Sequence, residues 1–143
     1  MEITYRKLEE SDLDTFISMR ITQLREEGAT EDIDLIPALK DYYHRHLADG
    51  TFVSWLALDG GKIIGTSGMS FVEKPPYFSC PTGRIGLLSS MFTEPSYRRM
   101  GIAKKLLNLV VEEKHSLVVL IVSVFAEQGK GSQVFKQCRV SVK

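Results

Sequence analysis

The chain alternates between segments whose apolar residues follow a helical period and segments whose apolar residues follow a strand period. Ile3 and Tyr5 alternate with polar residues, which indicates a short strand. A helix is expected to begin at Ser11, where Ser11 and Asp14 form a variant of the capping box, and to end at Gly28. Its apolar residues recur every three or four positions and form one buried stripe: Leu13, Phe16, Ile17, Ile21 and Leu24.

A second helix and a hairpin are expected to follow. Pro37 suits the first turn of the helix, and Gly50 ends it. The face that this helix buries is formed by Ile36, Leu39, Tyr43 and Leu47. The β-rich runs Phe52–Leu58 and Lys62–Val72 are joined by Asp59-Gly60-Gly61, a sequence typical of a tight hairpin turn.

The second half of the chain has the pattern of a mixed sheet. A proline-rich loop from Glu73 to Gly83 precedes a strand from Arg84 to Thr93. A third helix is indicated by Ala103, Leu106, Leu107, Val110 and Val111. The apolar run Leu117–Phe125 predicts a central strand, and Ser132–Cys138 a short helix. This order predicts one α/β domain over residues 1–143, with helices on both faces of the sheet.

Composition narrows the classes of ligand and location. The chain of 143 residues carries 18 basic and 18 acidic side chains, so no net positive field favours a nucleic acid as partner. The longest apolar run is shorter than the roughly 20 residues that span a bilayer, so no membrane anchor is expected. Cys80 and Cys138 follow no signal peptide, which indicates reduced thiols in a cytoplasmic protein. His44 and His46 lack partners at metal-site spacing, so no metal is expected.

The segment Met91–Lys104 carries the most specific chemical signal. It runs from a strand through a short turn into a helix, whose first N–H groups lack intrahelical acceptors and attract anions. Gly101 and Ala103 leave room for a phosphate group, and cationic donors surround them: Arg98, Arg99 and Lys104. An ordinary helix start with a solvated basic face would show the same residues. The choice between this and a phosphate site therefore depends on the surrounding sequence.

This segment resembles the signature of the GNAT superfamily of acyl-CoA N-acyltransferases. That signature is Arg or Gln, two residues, Gly, one residue, then Gly or Ala, and here Arg98, Gly101 and Ala103 fill it. Thr93-Glu94-Pro95 and Tyr97 are also similar to the family pattern. The resemblance implies a GNAT fold whose sheet is mostly antiparallel, and transfer of an acetyl group from acetyl-CoA to an amine of a small molecule or peptide by direct attack.

The same resemblance implies which residues bind acetyl-CoA. The pantetheine arm would pair with backbone groups at the end of the strand, on Met91 and Thr93 with Phe92 between them. The pyrophosphate would be cradled by the residues that follow Arg98: Arg99, Met100, Gly101, Ile102, Ala103 and Lys104.

The catalytic acid and base are harder to assign. A lysine-like amine must lose a proton before attack, which costs about 4.6 kcal/mol at pH 7, so a base or a proton relay should matter. Where the family often has a glutamate before the phosphate loop, this chain has Ser89 and Ser90, which could hold a water but also fit plain sheet residues. Glu73 is a second candidate. The family's usual tyrosine acid falls on Phe135, so no acid is assigned.

Two further features leave alternatives open. The acidity of Glu26, Glu27 and Glu31 would suit a cationic acceptor in this family, although solvated helix charges explain it equally. The last strands of the family's sheet are missing or shortened to Arg139–Val142, which predicts either a homodimer that completes the sheet or a truncated or frame-altered chain. A non-catalytic acyl-CoA-binding module is the alternative function, and a purely structural α/β domain is a third.

Overall fold

A computed structural model of the chain describes residues 2–78, 80–112, 118–121 and 139–141. Within these ranges the α-helices are α1 Leu13–Glu26, α2 Ile36–Asp49 and α3 Ile102–Val111. The strands are β1 Ile3–Lys7, β2 Phe52–Val53, β3 Trp55–Asp59, β4 Lys62–Glu73, β5 Arg84–Thr93, β6 Val118–Ile121 and β7 Arg139–Ser141. Short 3-10 turns at Glu10–Asp12 and Pro95–Tyr97 precede α1 and α3 respectively.

The described strands form one mixed sheet. Their order is β1-β3-β4-β5-β6-β7, and β2 also pairs with β4. Only β5 and β6 run parallel to each other, whereas the other described neighbours are antiparallel. This arrangement confirms the predicted mixed, mostly antiparallel sheet.

Helices cover both faces of the sheet. Leu56 and Leu58 of β3 pack with α1 and α2 in one hydrophobic cluster, while the intervening Ala57 packs with Ile102 and Leu106 of α3 in another. Alternate residues of a strand point to opposite faces, so α3 lies on the side of the sheet opposite to α1 and α2. The prediction of helices on both faces is confirmed.

The first helix begins later than Ser11. A 3-10 turn occupies Glu10–Asp12, and the α-helix starts at Leu13. Asp12 accepts the Glu9 N–H at 2.9 Å and also both arms of the Arg6 guanidinium, at 2.7 and 2.9 Å. The capping box at this end is therefore formed by Glu9 and Asp12 rather than by Ser11 and Asp14. Asp12 also connects the start of the helix to β1 through Arg6.

The run Phe52–Leu58 is two strands rather than one. The break falls at Ser54, whose hydroxyl donates to the Ser67 carbonyl. The Ser67 hydroxyl in turn donates to the Trp55 carbonyl at 2.8 Å and accepts the Trp55 N–H at 3.0 Å. Side-chain hydrogen bonds thus satisfy backbone groups of Trp55 at this irregular point, as buried polar groups require.

The predicted central strand has a neighbour on each side where it is described. Residues Val118–Ile121 pair with Ile85–Leu88 of β5, and Val118–Leu120 pair with β7. The apolar run is therefore not an open edge along these residues, and the homodimer stays a prediction. The rest of that run and the predicted helix Ser132–Cys138 lie outside the described residues. None of the described helices is long and apolar enough to cross a membrane.

Candidate functional site

A β-bulge interrupts β5 before its end. Thr66 pairs with Phe92 and Gly68 pairs with Ser89, so Ser90 and Met91 together lie opposite Ser67. Within this bulge Ser90 has a φ of 55°, in the left-handed region that only glycine enters freely. A buried serine held in this conformation marks a point where the fold maintains local backbone strain.

The bulge sets the direction of the backbone groups that follow it. The Glu94 N–H donates to the Ile64 carbonyl at 2.8 Å, on the β4 side of the strand. Successive residues of a strand point alternately to its two sides, so the N–H and carbonyl groups of Met91 and Thr93 face away from β4. Consistently, the Ser90 carbonyl accepts from Thr66 Oγ1 at 2.7 Å, and the Met91 N–H of the same trans peptide points the opposite way.

Side chains from elsewhere bind the two carbonyls on this outer side. Gln23 Nε2 of α1 donates to the Met91 carbonyl at 3.0 Å, and Arg98 Nε donates to the Thr93 carbonyl at 2.9 Å. Arg98 also contacts Glu26 at 3.0 Å and lies over the Phe92 ring. The C-terminal end of α1 is therefore attached to the end of β5 on both sides of Phe92.

The turn after β5 is hydrogen-bonded to the hairpin between β3 and β4. Tyr97 Oη donates to Asp59 Oδ2 at 2.6 Å, and this hydrogen bond to the carboxylate raises the pKa of the Tyr97 phenol. Arg99 and Gly101 then adopt left-handed φ values of 66° and 79°. For Gly101 this conformation carries no Cβ penalty, and it turns the chain into α3.

The N-terminus of α3 presents unpaired donors. Its first intrahelical bond runs from the Lys105 N–H to the Gly101 carbonyl at 3.1 Å, and Gly101 offers no capping side chain. The N–H groups of Ile102, Ala103 and Lys104 therefore have no acceptor within the helix. Arg99 and Lys104 make no ion pair with any described residue, whereas Arg98 is paired with Glu26.

These groups share one cleft of about 610 Å³. Its lining combines the end of β5, the turn, the start of α3 and the end of α1: Met91, Phe92, Thr93, Tyr97, Arg98, Arg99, Gly101, Ile102, Ala103, Lys104, Gln23, Glu26 and Glu27. Of the residues predicted to bind acetyl-CoA, only Met100 is not part of the lining; its side chain is exposed beside it. Gln23 was not predicted, although a glutamine on the buried face of α1, four residues after Met19, was a signal for it.

The three sequence candidates for catalysis occupy different places. Ser90 is buried, and its hydroxyl lies 3.4 Å from that of Tyr43, whose pKa is raised by burial. Ser89 is half-buried and pairs with Gly68. Glu73 is exposed and pairs with Arg84 at the other end of β5, about 23 Å along the strand from Met91, so it is not part of the cleft.

The carboxylates beside the strand end are Glu26 and Glu27. Glu26 is engaged by Arg98, whereas Glu27 makes no ion pair with the described residues and accepts a long hydrogen bond of 3.4 Å from Gln23 Nε2. The same amide nitrogen donates to the Met91 carbonyl, so Glu27 lies close to the bulge. Among the described residues, no three histidine, cysteine or carboxylate side chains gather in a way that could hold a metal ion.

Comparison with known proteins gives the context for this geometry. The acetyltransferase (GNAT) family model matches residues 13–130. A predicted acetyltransferase from Clostridium acetobutylicum, solved with acetyl-CoA, is 33% identical with a TM-score of 0.79, over 85% of this chain and 81% of that one. A comparison with proteins of curated function finds no match.

Two more distant structures share the fold. A GCN5-related N-acetyltransferase from Ralstonia eutropha is 24% identical with a TM-score of 0.73, over 85% of this chain and 84% of that one. Glucosamine-6-phosphate N-acetyltransferase from Arabidopsis thaliana is 15% identical with a TM-score of 0.63, over 98% of this chain and 99% of that one.

Proposed function

Because the chain belongs to the GNAT acetyltransferase family, we propose that it transfers the acetyl group of acetyl-CoA directly to a primary amine of a small molecule or peptide. The observation that carries this proposal is the single cleft that joins the end of β5 to the N-terminus of α3. One end of the cleft offers the outward-facing N–H groups of Met91 and Thr93 to an extended arm, and the other end offers donors to a phosphate. Acetyl-CoA is the co-substrate that has both features.

The pyrophosphate fits the helix end. The N–H groups of Ile102, Ala103 and Lys104 converge there with the positive end of the helix dipole. Arg99 and Lys104 add cationic side chains that no described carboxylate neutralises. A Cβ built on Gly101 would meet no atom within 4 Å, which means that the space beside this backbone is open to a ligand.

The acetyl thioester of acetyl-CoA would lie beside the β-bulge at Ser90 and Met91. As the amine nitrogen forms its bond to the acetyl carbon, negative charge grows on the thioester oxygen, and the C–S bond then breaks to release the CoA thiolate. The Met91 N–H points away from β4 toward this position and would donate to that oxygen. A fixed donor of this kind stabilises the charge that develops in the transition state.

Proton removal from the amine is assigned to Glu27. Ser90 is buried against Tyr43, and neither Ser89 nor Ser90 lines the cleft, which leaves Glu26 and Glu27 as the carboxylates that line it. Glu27 is the one of these that lacks an ion pair among the described residues. A carboxylate beside the reacting atoms would lower the cost of presenting a neutral amine.

Calorimetric titration with acetyl-CoA and with CoA, followed by an assay of thiol release with a panel of amines, tests the proposal. Binding with amine-dependent release of CoA is the expected result. Binding without turnover of any amine would favour a non-catalytic acyl-CoA-binding module instead, and absence of binding by the folded protein would refute the proposed site.

A further inference from the structure

We infer that Gln23 and Thr66 are positioning residues that fix the direction of the Met91 N–H group and thereby the polarisation of the acetyl thioester. The inference rests on the proposed function, because it concerns the donor that the thioester oxygen would meet. Neither residue belongs to the motif from Arg98 to Ala103. They bind the two peptide groups on either side of Met91 from two other elements, α1 and β4.

Thr66 holds the peptide that precedes Met91. Its hydroxyl is buried and donates to the Ser90 carbonyl at 2.7 Å. That carbonyl and the Met91 N–H belong to one planar trans peptide, so fixing the first fixes the second. Because Ser90 has a φ of 55°, the backbone at Ser90 is strained, and the surrounding contacts must maintain this conformation.

Gln23 holds the peptide that follows Met91. Its Nε2 donates to the Met91 carbonyl at 3.0 Å, and its Oε1 accepts from Arg20 Nη1 at 2.9 Å. A guanidinium can only donate and a carbonyl can only accept, so these two partners allow one orientation of the amide. The side chain is buried, with 9% exposure, which leaves it little freedom to turn.

The two side chains act from opposite sides of the strand. Thr66 lies on the β4 side of β5, and Gln23 approaches the outer side, so the peptides before and after Met91 are both held. Loss of either contact would let the bulge relax, and a hydrogen bond weakens steeply as its donor turns away from the acceptor. The pyrophosphate donors on α3 would not change. The polarisation of the thioester should therefore fall while the affinity for acetyl-CoA is largely kept.

Infrared difference spectroscopy with [1-13C]acetyl-CoA measures this polarisation without any acceptor amine. Binding to the wild-type protein is expected to lower the thioester carbonyl frequency. In Gln23→Met and Thr66→Val the shift should fall by half or more, while the Kd from calorimetry changes by less than about threefold. The matched control is Thr22→Val, at an exposed position next to Gln23 on α1. Among the described residues, the Thr22 hydroxyl bonds to the Ser18 carbonyl of its own helix, so this variant should keep the full shift.

Conservative variants separate positioning from folding. Thr66→Ser keeps the hydroxyl and should keep the shift. Gln23→Glu keeps the size of the side chain but can donate to the Met91 carbonyl only when protonated, so its shift should return as the pH falls. If Gln23→Met does not fold, the pH dependence of the shift in Gln23→Glu decides the role of Gln23. If Thr66→Val does not fold, Thr66→Ala, which also removes the hydroxyl, takes its place.

The outcomes distinguish this inference from the proposed function. A folded wild-type protein that does not bind acetyl-CoA would refute the proposed function itself. A wild-type protein that binds it without lowering the carbonyl frequency would overturn the inference alone. Full shifts in Gln23→Met and Thr66→Val, or a full and pH-independent shift in Gln23→Glu, would also overturn it.

Discussion

Arg98 and Glu26 are 72 residues apart in the sequence, yet the Arg98 guanidinium donates to the Glu26 carboxylate at 3.0 Å. Through its Nε the same guanidinium donates to the Thr93 carbonyl. One side chain therefore connects α1, the end of β5 and the turn that leads to α3.

Arg98→Lys is expected to weaken acetyl-CoA binding several-fold. A lysine ammonium is a compact charge without the planar fork that serves the Thr93 carbonyl and Glu26 together, so the turn would lose one of these contacts. The free energy of unfolding should fall by less than about 1 kcal/mol, because the pair is half exposed. The control is Arg25→Lys, which alters the exposed ion pair between Arg25, at the end of α1, and Glu31, in the segment after that helix. Equal losses of affinity in calorimetry would contradict the prediction.

Gly101→Asp is expected to weaken acetyl-CoA binding by more than about tenfold, or ~1.4 kcal/mol. The added carboxylate would occupy the space beside the α3 N-terminus and repel the phosphates. Gly50→Asp is a closely matched control, since Gly50 has φ and ψ of 77° and 10° against 79° and 8° for Gly101, and neither position has an atom near an added Cβ. Equal affinities of the two folded variants in calorimetry would argue against the phosphate cradle.

Glu27→Gln is expected to lower kcat by roughly a hundredfold to ten-thousandfold, the range expected for a lost general base, without a comparable change in the Kd for CoA. The difference in kcat between the variant and the wild type should become smaller at higher pH, where more of the amine is already neutral. The measurement is a pH profile of thiol release with an amine that the wild-type protein accepts. A control is Glu31→Gln, at an exposed position outside the cleft. Wild-type kcat in Glu27→Gln would remove this residue from the mechanism.

Ser90→Val is expected to lower the free energy of unfolding by about 2 kcal/mol, because a β-branched side chain is poorly accommodated at positive φ and the site is buried. Ser90→Gly should stay within about 1 kcal/mol of the wild type, since glycine enters this conformation freely. The neighbouring Ser89 has ordinary strand conformation, so Ser89→Val should change the free energy of unfolding by less than about 1 kcal/mol. If urea denaturation showed Ser89→Val to be less stable than Ser90→Val, the result would contradict the strain at Ser90.

Asp12→Asn is expected to destabilise the protein at neutral pH and to make little difference in acid. The hydrogen bonds from Arg6 hold the pKa of the Asp12 carboxyl below its ordinary value of 3.8, so the ionised group stabilises the folded state above that pH. This contribution, about 1 kcal/mol, is lost as the pH falls below 3.8 through the lower pKa of the folded state. Thermal unfolding at neutral and acidic pH measures it. A pH-independent difference, or an equal effect of the exposed Asp14→Asn, would disagree with this account.

Much of the fold could be predicted from sequence patterns. The bounds of β5 agree with the prediction of Arg84–Thr93, and α2 begins at Ile36 and ends just before Gly50 as expected. These elements depend on periodicity and on turn residues that lie within the segment itself. The split of the run Phe52–Leu58 was not predicted, because it depends on Ser67 in the next strand.

By itself the sequence determined the family signature and the turn that we propose to bind the pyrophosphate. Gly101 and its basic neighbours are contiguous, so their local geometry follows from a strand, a turn and a helix start. Tertiary structure alone decided which groups surround the bulge at Ser90 and Met91: Gln23 lies on α1, Glu27 directly follows that helix and Thr66 lies on β4, all far away in sequence. A local pattern specifies conformation because its interactions lie within a few residues, whereas the direction of a backbone N–H at a bulge depends on hydrogen bonds that form only when distant elements pack together.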